Sequence, residues 1–450
     1  MIKPDAKIHY LAGSRCICGK NIGNIGDKLY FCRLQCSKTS HYIHFVLYIM
    51  KRFFHSYIAM LAVSLCAALV SCDRIPDEPE TRDRVLLYYA AGFNNLSSYL
   101  EEDISELGSK GYIPEKTSRN VLLIFQNLAE NGYSTAVTPT LYRIYKDSDG
   151  NIVKAPVLEL EPGTVAASAS TLEKVLSFIS TSYISDKYGM IFSSHATGWI
   201  PAKNKADRPL SKGVSPSSIG NEYSPETGTS VQYEMDLADF ADAIPMHLDY
   251  ILFDACFMGG VEVAYQLKDV CDQVAFSQAE VIADGFDYTT MAASLLQSDS
   301  DLYSVCKAYY EHYMSLSGDY QSATVSLVDC SGMDGLASVC REIFDAHRQA
   351  LAETDPESIQ CFGRITAHKY FYDLGDIMEH LGLSAEETAS FNSALAKCIV
   401  YKACTPYFMI NSGGFKIDKF CGLSSYCTNK QTYDDFYKTL AWNQATGMIE

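Results

Sequence analysis

Two side chains suited to nucleophilic chemistry follow two of the most apolar segments of the sequence. His195 comes three residues after the run 188–192, and Cys256 comes three residues after the run 250–253. Unbroken apolar runs of this kind are typical of strands buried on both faces of a parallel sheet. Ligands of an open α/β sheet bind beyond the carboxyl ends of its strands. The sequence therefore predicts a thiol and an imidazole at one sheet edge, where the imidazole can take the thiol proton.

The elements that must position this pair alternate along the body of the chain. Further apolar runs at 85–91, 121–125 and 323–328 predict strands, and segments with helical spacing lie between the predicted strands. Such alternation predicts an α/β fold in which helices cover both faces of a mostly parallel central sheet. The stretch 201–230 has neither period and contains many Gly, Pro and Ser residues, so it is predicted to be a long loop.

Longer motifs surround both residues. Residues 192–199 read FSSHATGW, and residues 248–267 read LDYILFDACFMGGVEVAYQL. The first motif resembles the histidine motif of the clostripain family, and the second closely resembles the nucleophile motif of that family. Further similarity is spread over most of residues 83–445, at 87–91, 94–96, 277–280, 285–288 and 373–376.

This resemblance implies a caspase-like three-layer sandwich and a cysteine endopeptidase that cuts peptide bonds after Arg or Lys. It places the nucleophile on Cys256 and the general acid/base on His195. The oxyanion of the intermediate would be held by the backbone N–H groups of Cys256 and Ala196. The family usually has Gly at the position of Ala196, and backbone donation survives that exchange. The chemistry requires no cofactor, and calcium is implied by the resemblance alone.

A preference for Arg or Lys requires a carboxylate in the first substrate pocket. Asp254 lies two residues before Cys256, and Asp284 lies in the loop after the next predicted strand, where the family places pocket residues. We predict Asp284 at the pocket floor and Asp254 at its side, with Asp287 as a further candidate. The alternative for any single Asp is a helix cap or a solvent-facing position, which is the commoner role.

The resemblance also implies self-processing in the loop between the two catalytic residues. Lys203, Lys205 and Lys212 lie in its irregular first part and are candidate cleavage sites. Arg208 is a poorer site because Pro209 follows it. The alternative is that these lysines only solvate the loop.

Residues 50–71 have the layout of a bacterial lipoprotein signal peptide. A basic start, Met50-Lys51-Arg52, precedes an apolar run at 58–70 that is too short to favour spanning a bilayer, and Cys72 follows. Lipidated Cys72 would begin the mature protein, and the acidic segment 72–82 would tether a peptidase domain at 83–445. The sequence thus predicts a lipid-anchored protein of the bacterial cell envelope outside the cytoplasm, at the outer membrane or cell surface. The alternative is that the same run anchors the chain directly.

Residues 1–49 precede this signal and fit it poorly, because a signal peptide needs a free N-terminus. Translation is therefore predicted to start at Met50, so that residues 1–49 are not part of the mature protein. The alternative is a small metal module whose ligands would be Cys16, Cys18, Cys32 and Cys36. Its C-x-C and C-x3-C spacings, however, lack the histidines or the C-x2-C pairs that such modules usually contain.

Charge and motif content narrow the function classes. The formal net charge is −18 and no long Lys/Arg block is present, so nucleic acid is excluded as a partner, and the expected partners are protein or peptide substrates and a membrane. Hydrolysis through Ser193 or Ser194 would need a G-x-S-x-G elbow, which is missing. The remaining alternative is a surface binding lipoprotein that keeps the caspase-like fold but is catalytically weak.

Overall fold

A nine-stranded mixed sheet forms the centre of the protein in the computed structural model. The structure describes residues 81–450 except 131, 204–217, 298, 366–367 and 428–432. The strands in chain order are β1 Arg84–Gly92, β2 Asn120–Leu128, β3 Thr140–Lys146, β4 Ile152–Glu159, β5 Tyr188–Ser193, β6 Ile219–Ser224, β7 Gly228–Met235, β8 Leu248–Asp254, β9 Cys271–Phe276, β10 Thr324–Asp329, β11 Tyr372–Asp373, β12 Ile399–Cys404, β13 Tyr407–Phe408, β14 Phe415–Lys416 and β15 Ser424–Ser425.

The α-helices flank this sheet and connect many of its strands. In chain order they are α1 Ser97–Ser105, α2 Ala169–Ser182, α3 Leu237–Asp242, α4 Val261–Leu267, α5 Tyr288–Leu295, α6 Leu302–Ser315, α7 Met333–Ala346, α8 Arg348–Glu353, α9 Leu374–His380, α10 Ala385–Cys398, α11 Asp434–Tyr437 and α12 Ala441–Thr446.

The strand order of the sheet is β12-β10-β9-β8-β5-β1-β2-β3-β4. The five central strands β9, β8, β5, β1 and β2 are parallel to one another. The outer strands β10 and β12 at one edge, and β3 and β4 at the other, are antiparallel. The mostly parallel centre is therefore confirmed, and its four inner carboxyl ends, those of β1, β5, β8 and β9, lie side by side.

Strand β1 shows why helices must cover both faces. All nine of its residues are buried. Leu87 and Tyr89 belong to a core that also contains side chains of α2, α3, α4 and α7. Leu86 and Tyr88 point to the opposite core, built with α1, α5 and α6. Alternate side chains thus enter two separate cores, which confirms the three-layer sandwich.

The prediction of a featureless loop at 201–230 is wrong in its second half. There β6 and β7 form an antiparallel hairpin. Glu222 of β6 is buried and accepts hydrogen bonds from Ala166 N at 2.5 Å, Ala167 N at 3.1 Å, Phe93 N at 3.2 Å and Asn127 Nδ2 at 2.9 Å. These long-range bonds hold the hairpin against the sheet, and no local periodicity announces them. Helix α10 and strand β12 were also not predicted.

Several predicted segments fall outside the described residues. These are residues 1–49, the signal peptide at 50–71 and most of the tether, including Cys72. None of the helices described between residues 81 and 450 is both long enough and apolar enough to cross a membrane. The division into signal, tether and peptidase domain stays a prediction.

Candidate active site

Four neighbouring parallel strands carry polar or nucleophilic side chains just beyond their carboxyl ends. Asn95 follows β1, His195 follows β5, Cys256 follows β8 and Glu280 follows β9. Because β5 pairs with both β1 and β8, and β9 pairs with β8, these residues emerge at one edge of the sheet. The structure thus has His195 and Cys256 at the same edge of the sheet, where the sequence predicts them.

A cavity of about 560 Å³ opens at this edge. Both His195 and Cys256 line it. The remaining lining residues come from the strand ends, from the β6–β7 hairpin and from two segments later in the chain. They are Asn95, Ala196, Thr197, Asn221, Tyr223, Gln232, Phe257, Glu280, Val281, Ile282, Ala283, Arg364, His368 and Met409. A peptide segment lying in this cavity would be within reach of the thiol and the imidazole.

The imidazole of His195 is held by Asn95. The two side chains are joined by a hydrogen bond of 2.7 Å between Nε2 and Oδ1. An amide oxygen only accepts, so Nε2 carries the proton and Nδ1 keeps a free lone pair. Burial lowers the pKa of His195 below its ordinary value, so the ring is neutral near pH 7. The ring is therefore in the state that can accept a proton.

The thiol of Cys256 lies against the segment that follows β9. Its Sγ accepts a hydrogen bond from Val281 N at 3.3 Å. Burial raises the pKa of Cys256 to about 12, with further increases from Glu280 and Asp254, while the Val281 bond and Arg364 lower it. The thiol is consequently protonated at neutral pH, so that it needs a base before it can act as a nucleophile.

The backbone after Cys256 fixes the direction of the thiol. Phe257 has a φ of 60°, a left-handed conformation that is uncommon for a non-glycine residue. Its N–H donates to Ala279 O at 2.9 Å, and its ring stacks on Phe371 at 4.7 Å. Gly198 packs against this turn so closely that a Cβ there would lie 2.5 Å from Phe257 O. The histidine loop and the nucleophile loop therefore meet without room for a side chain.

Asp254 points into the protein beneath the loop that follows β9. Its side chain accepts a hydrogen bond of 2.6 Å from the hydroxyl of Tyr288. A Cβ on Gly285 would lie 2.5 Å from the same carboxyl group, and the carbonyl of Gly285 accepts from Tyr313 at 2.8 Å. Burial raises the pKa of Asp254 to about 6. The carboxylate thus holds residues 285–288 in place, and neither it nor Asp284 lines the 560 Å³ cavity.

The other two acidic candidates differ from each other. Asp284 is exposed in the loop before Gly285. Asp287 caps α5, since its side chain accepts from Thr289 N at 3.0 Å. The capping alternative therefore describes Asp287, whereas Asp284 keeps a carboxylate that faces solvent.

Of the predicted processing sites, the structure describes only Lys203, whose backbone N–H donates to Glu234 at 3.1 Å. Lys205, Arg208 and Lys212 lie outside the described residues, as does the predicted lipidation site. Sequence reasoning assigned no role to Asn95, which the strand-end rule applied to β1 would have found. It also missed Glu280, Arg364 and His368: Arg364 forms an ion pair with Glu280, and the His368 ring lies 4.8 Å from the Phe257 ring. No local signal marks these three residues.

Within the described ranges, no group of three or more His, Cys, Asp or Glu side chains is placed to hold a metal ion. Calcium responsiveness, which the resemblance alone implies, stays a prediction.

Solved structures of C11 proteases resemble this architecture. An inactive zymogen of a C11 protease from Parabacteroides distasonis matches with a TM-score of 0.66 and 24% identity, over 82% of this chain and 99% of that chain. A secreted C11 cysteine protease from Bacteroides thetaiotaomicron, iotapain, matches with a TM-score of 0.66 and 25% identity, over 82% and 100%. A secreted C11 cysteine protease from the same organism, in complex with an irreversible peptide inhibitor, matches with a TM-score of 0.66 and 23% identity, over 81% and 99%.

These likenesses show the caspase-like fold of the C11 proteases. A comparison with curated protein sequences finds no match. The family model described as the clostripain family, peptidase C11, matches residues 88–447, which is most of the chain. The chain therefore belongs to the clostripain family and is a cysteine-type peptidase.

Proposed function

We propose that this peptidase is an exported, lipid-anchored endopeptidase that cuts after Arg or Lys with His195 and Cys256 as its catalytic dyad. One observation carries the proposal: the two side chains line a single cavity at the carboxyl edge of adjacent parallel strands. A thiol and an imidazole in one cleft are the groups that acyl transfer through a cysteine requires.

The protonation states favour a mechanism in which His195 activates the thiol. Neutral His195 takes the Cys256 proton on Nδ1 as Sγ attacks the substrate carbonyl. The resulting imidazolium then protonates the leaving amine, which breaks the peptide bond and leaves a thioester on Cys256. Water, deprotonated by His195, hydrolyses the thioester and restores the thiol. The hydrogen bond from Nε2 to Asn95 keeps the ring in the tautomer that these steps need.

The oxyanion of the tetrahedral intermediate is assigned to the backbone N–H groups of Cys256 and Ala196. A β-bridge pairs Ala196 of the histidine loop with Ile219 of β6. The donor of the hydrogen bond at this bridge is the N–H of Thr197, which donates to Ser218 O at 2.8 Å, and not the N–H of Ala196. Positive φ values at described non-glycine residues occur at Phe257 and Met409, so Ala196 has a backbone conformation that alanine adopts without strain. The exchange of Gly for Ala therefore leaves this donor in place.

Specificity for Arg or Lys is assigned to Asp284, with Asp254 beneath it. Asp284 is exposed next to residues 281–283, which line the cavity, so its carboxylate is available for a charge-assisted hydrogen bond to a cationic side chain. Asp254 supports the same loop through Tyr288, and it adds negative charge when it is ionised.

Export and anchoring rest on the predicted signal at 50–71 and on Cys72. A secreted relative from Bacteroides thetaiotaomicron supports the export of this chain. Lipidation of Cys72 would hold the peptidase in the cell envelope outside the cytoplasm, where its substrates are proteins or peptides.

The decisive experiment combines turnover with active-site labelling. Wild-type protein, Cys256→Ala and His195→Ala are assayed on Arg and Lys peptides and treated with a basic-residue chloromethyl ketone, and the adduct is located by mass spectrometry. We expect the label on Cys256 alone and losses of similar size in the two variants, because the two residues act as a unit. Cys404→Ala is the matched control, because it removes a half-buried thiol elsewhere. Wild-type turnover by Cys256→Ala would end the proposal, and labelling without turnover would favour the weakly catalytic binding lipoprotein.

A further inference from the structure

Two described non-glycine residues have a left-handed backbone, and both line the active-site cavity. They are Phe257, with a φ of 60°, and Met409, with a φ of 44°. Phe257 has an evident reason for this conformation, because it turns the chain directly after the nucleophile. Met409 is far from Cys256 in sequence, and a methionine has no intrinsic preference for the left-handed region. A costly conformation that persists at a site indicates that the surrounding structure is built to keep it.

The neighbours of Met409 hold it from several sides. Its N–H donates to the buried hydroxyl of Ser322 at 2.7 Å, and its carbonyl accepts from Gly414 N at 2.9 Å. Two residues further on, Asn411 N donates to Asp319 at 2.7 Å. These bonds over-determine the tip between β13 and β14, so the left-handed residue is maintained by its surroundings.

The same tip is connected to the nucleophile. Arg364 donates to the carbonyl of Ser412 at 3.4 Å and forms an ion pair with Glu280. Glu280 immediately precedes Val281, whose N–H donates to Cys256 Sγ. The position of the tip relative to the thiol is therefore set by direct contacts and not by the length of the intervening chain.

The side chain delivered by this tip is apolar. Met409, Ile282 and Ala283 line the cavity that also contains Cys256, and Met409 and Ile282 are only partly buried. Methionine is unbranched and polarizable, so it adapts to different apolar partners. Asn95 and His195 belong to the proposed catalytic machinery, whereas Met409, Ile282 and Ala283 give the cavity an apolar surface that a substrate side chain can contact.

We propose that Met409 and Ile282 form a subsite for an apolar side chain of the peptide substrate, on a residue close to the cleaved bond. The left-handed backbone of Met409 aims its side chain into this subsite. The inference rests on the proposed function, because it concerns the substrate of the same cavity. The enzyme then recognises an apolar residue in addition to the basic one.

The test is a peptide library with one fixed Arg and randomised neighbours on both sides. Met409→Gly removes the side chain and suits the left-handed backbone. We expect the preference for Leu over Ser to fall about tenfold in kcat/KM at one neighbouring position, which is the scale of discrimination that a few methylenes provide. Met409→Leu restores an apolar side chain and should restore most of the preference. Ile410→Gly is the matched control, since Ile410 is 46% exposed on the same tip, and it should keep the wild-type preference.

Two results would overturn this subsite alone. One is a Met409→Gly variant that keeps the apolar preference. The other is an equal loss of turnover on all peptides, which would indicate a purely structural role. Labelling rates with Leu- and Ser-containing chloromethyl ketones give the same ratio independently of turnover. A wild-type protein that neither cleaves nor is labelled would overturn the proposed function itself.

Discussion

Asn95 selects which nitrogen of His195 can receive a proton. We expect Asn95→Ala to lower kcat roughly 10- to 100-fold, because an untethered imidazole is aligned with the thiol less often. Asn95→Asp keeps an acceptor but adds a negative charge, which stabilises the imidazolium and raises the pKa of His195. Since His195 must be neutral to act as a base, the acid limb of the kcat/KM profile should move to higher pH.

The measurement is a pH–rate profile of wild type, Asn95→Ala and Asn95→Asp on one Arg peptide. Ser98→Ala, an exposed position in α1, serves as the control and should keep the wild-type profile. Identical profiles for all four proteins would show that Asn95 has no part in orienting the ring.

The carboxylates of Asp254 and Asp284 have different surroundings, so substitutions at the two positions should have different effects on turnover. Asp284→Ala removes an exposed charge, and we expect kcat/KM on Arg peptides to fall about 100-fold or more while alkylation of Cys256 by iodoacetamide is unchanged. Asp254→Asn keeps an acceptor for Tyr288 and should retain most of the turnover, whereas Asp254→Ala should lose it because residues 285–288 are no longer held.

The two measurements are peptide turnover and the alkylation rate of Cys256. Retained Arg preference in Asp284→Ala, together with its loss in Asp254→Asn, would reverse the two assignments. Burial raises the pKa of Asp254 to about 6. Any contribution of its charge to cation binding is therefore present above that pH and is lost as the pH falls through it.

At the scale of elements, the β6–β7 hairpin depends on one buried carboxylate. Glu222 accepts hydrogen bonds from the residue after β1, from Asn127 of β2 and from the two residues Ala166 and Ala167 before α2. We expect Glu222→Ala to destabilise the protein by about 3 kcal/mol or more, since several buried donors lose their acceptor. Glu226→Ala, on the exposed turn of the same hairpin, should change the free energy of unfolding by less than about 0.5 kcal/mol. Urea unfolding measures both free energies. Equal stabilities of the two variants would contradict the proposed role of Glu222 in holding the hairpin.

The same residue gives the hairpin a pH dependence. Burial raises the pKa of Glu222 from 4.5 to about 7. A raised pKa in the folded state means that the stability contribution is fully present below 4.5 and is lost as the pH rises through 7. We expect the urea midpoint to fall between pH 5 and pH 8 by more in wild type than in Glu222→Gln, which cannot ionise. A parallel fall in both proteins would assign the effect to other groups.

At the scale of the whole molecule, a cut in the loop before β6 should not separate the chain. The first fragment would carry β1 to β5, the second would carry β6 onward, and β5 pairs with β8 at the centre of the sheet. We expect two bands in denaturing gels but one species in gel filtration, because both cores contain side chains from both fragments. Cys256→Ala should give one band if the cut is self-catalysed. Two fragments that elute apart would contradict this expectation.

Membrane association also belongs to the whole molecule. Cys72→Ala should leave the protein soluble after export or retain its uncleaved signal, because lipidation is the proposed anchor. Cell fractionation and mass spectrometry of the mature N-terminus test this. A wild-type N-terminus without lipid, far from Cys72, would refute the anchor. Cys256→Ala is the control, since it should leave fractionation unchanged.

The sequence by itself determined the central strands and the two residues, His195 and Cys256, that follow β5 and β8. Strands β1, β5 and β8 are buried on both faces, so they appear as unbroken apolar runs that are visible without a fold. The strand-end rule then put His195 and Cys256 at one edge, and the surrounding motifs indicated the family that the comparison shows. These features can be predicted from the sequence because a strand that is buried on both faces needs apolar side chains at consecutive positions.

The tertiary structure alone decided the rest of the site. It turned Asp254 inward to Tyr288, folded half of a predicted loop into the β6–β7 hairpin, and brought Arg364 and Met409 to the nucleophile. Each of these features depends on a contact between residues far apart in the chain. Periodicity and composition report only on near neighbours, so the partner that satisfies a buried carboxylate or maintains a left-handed residue is known only once the chain has folded.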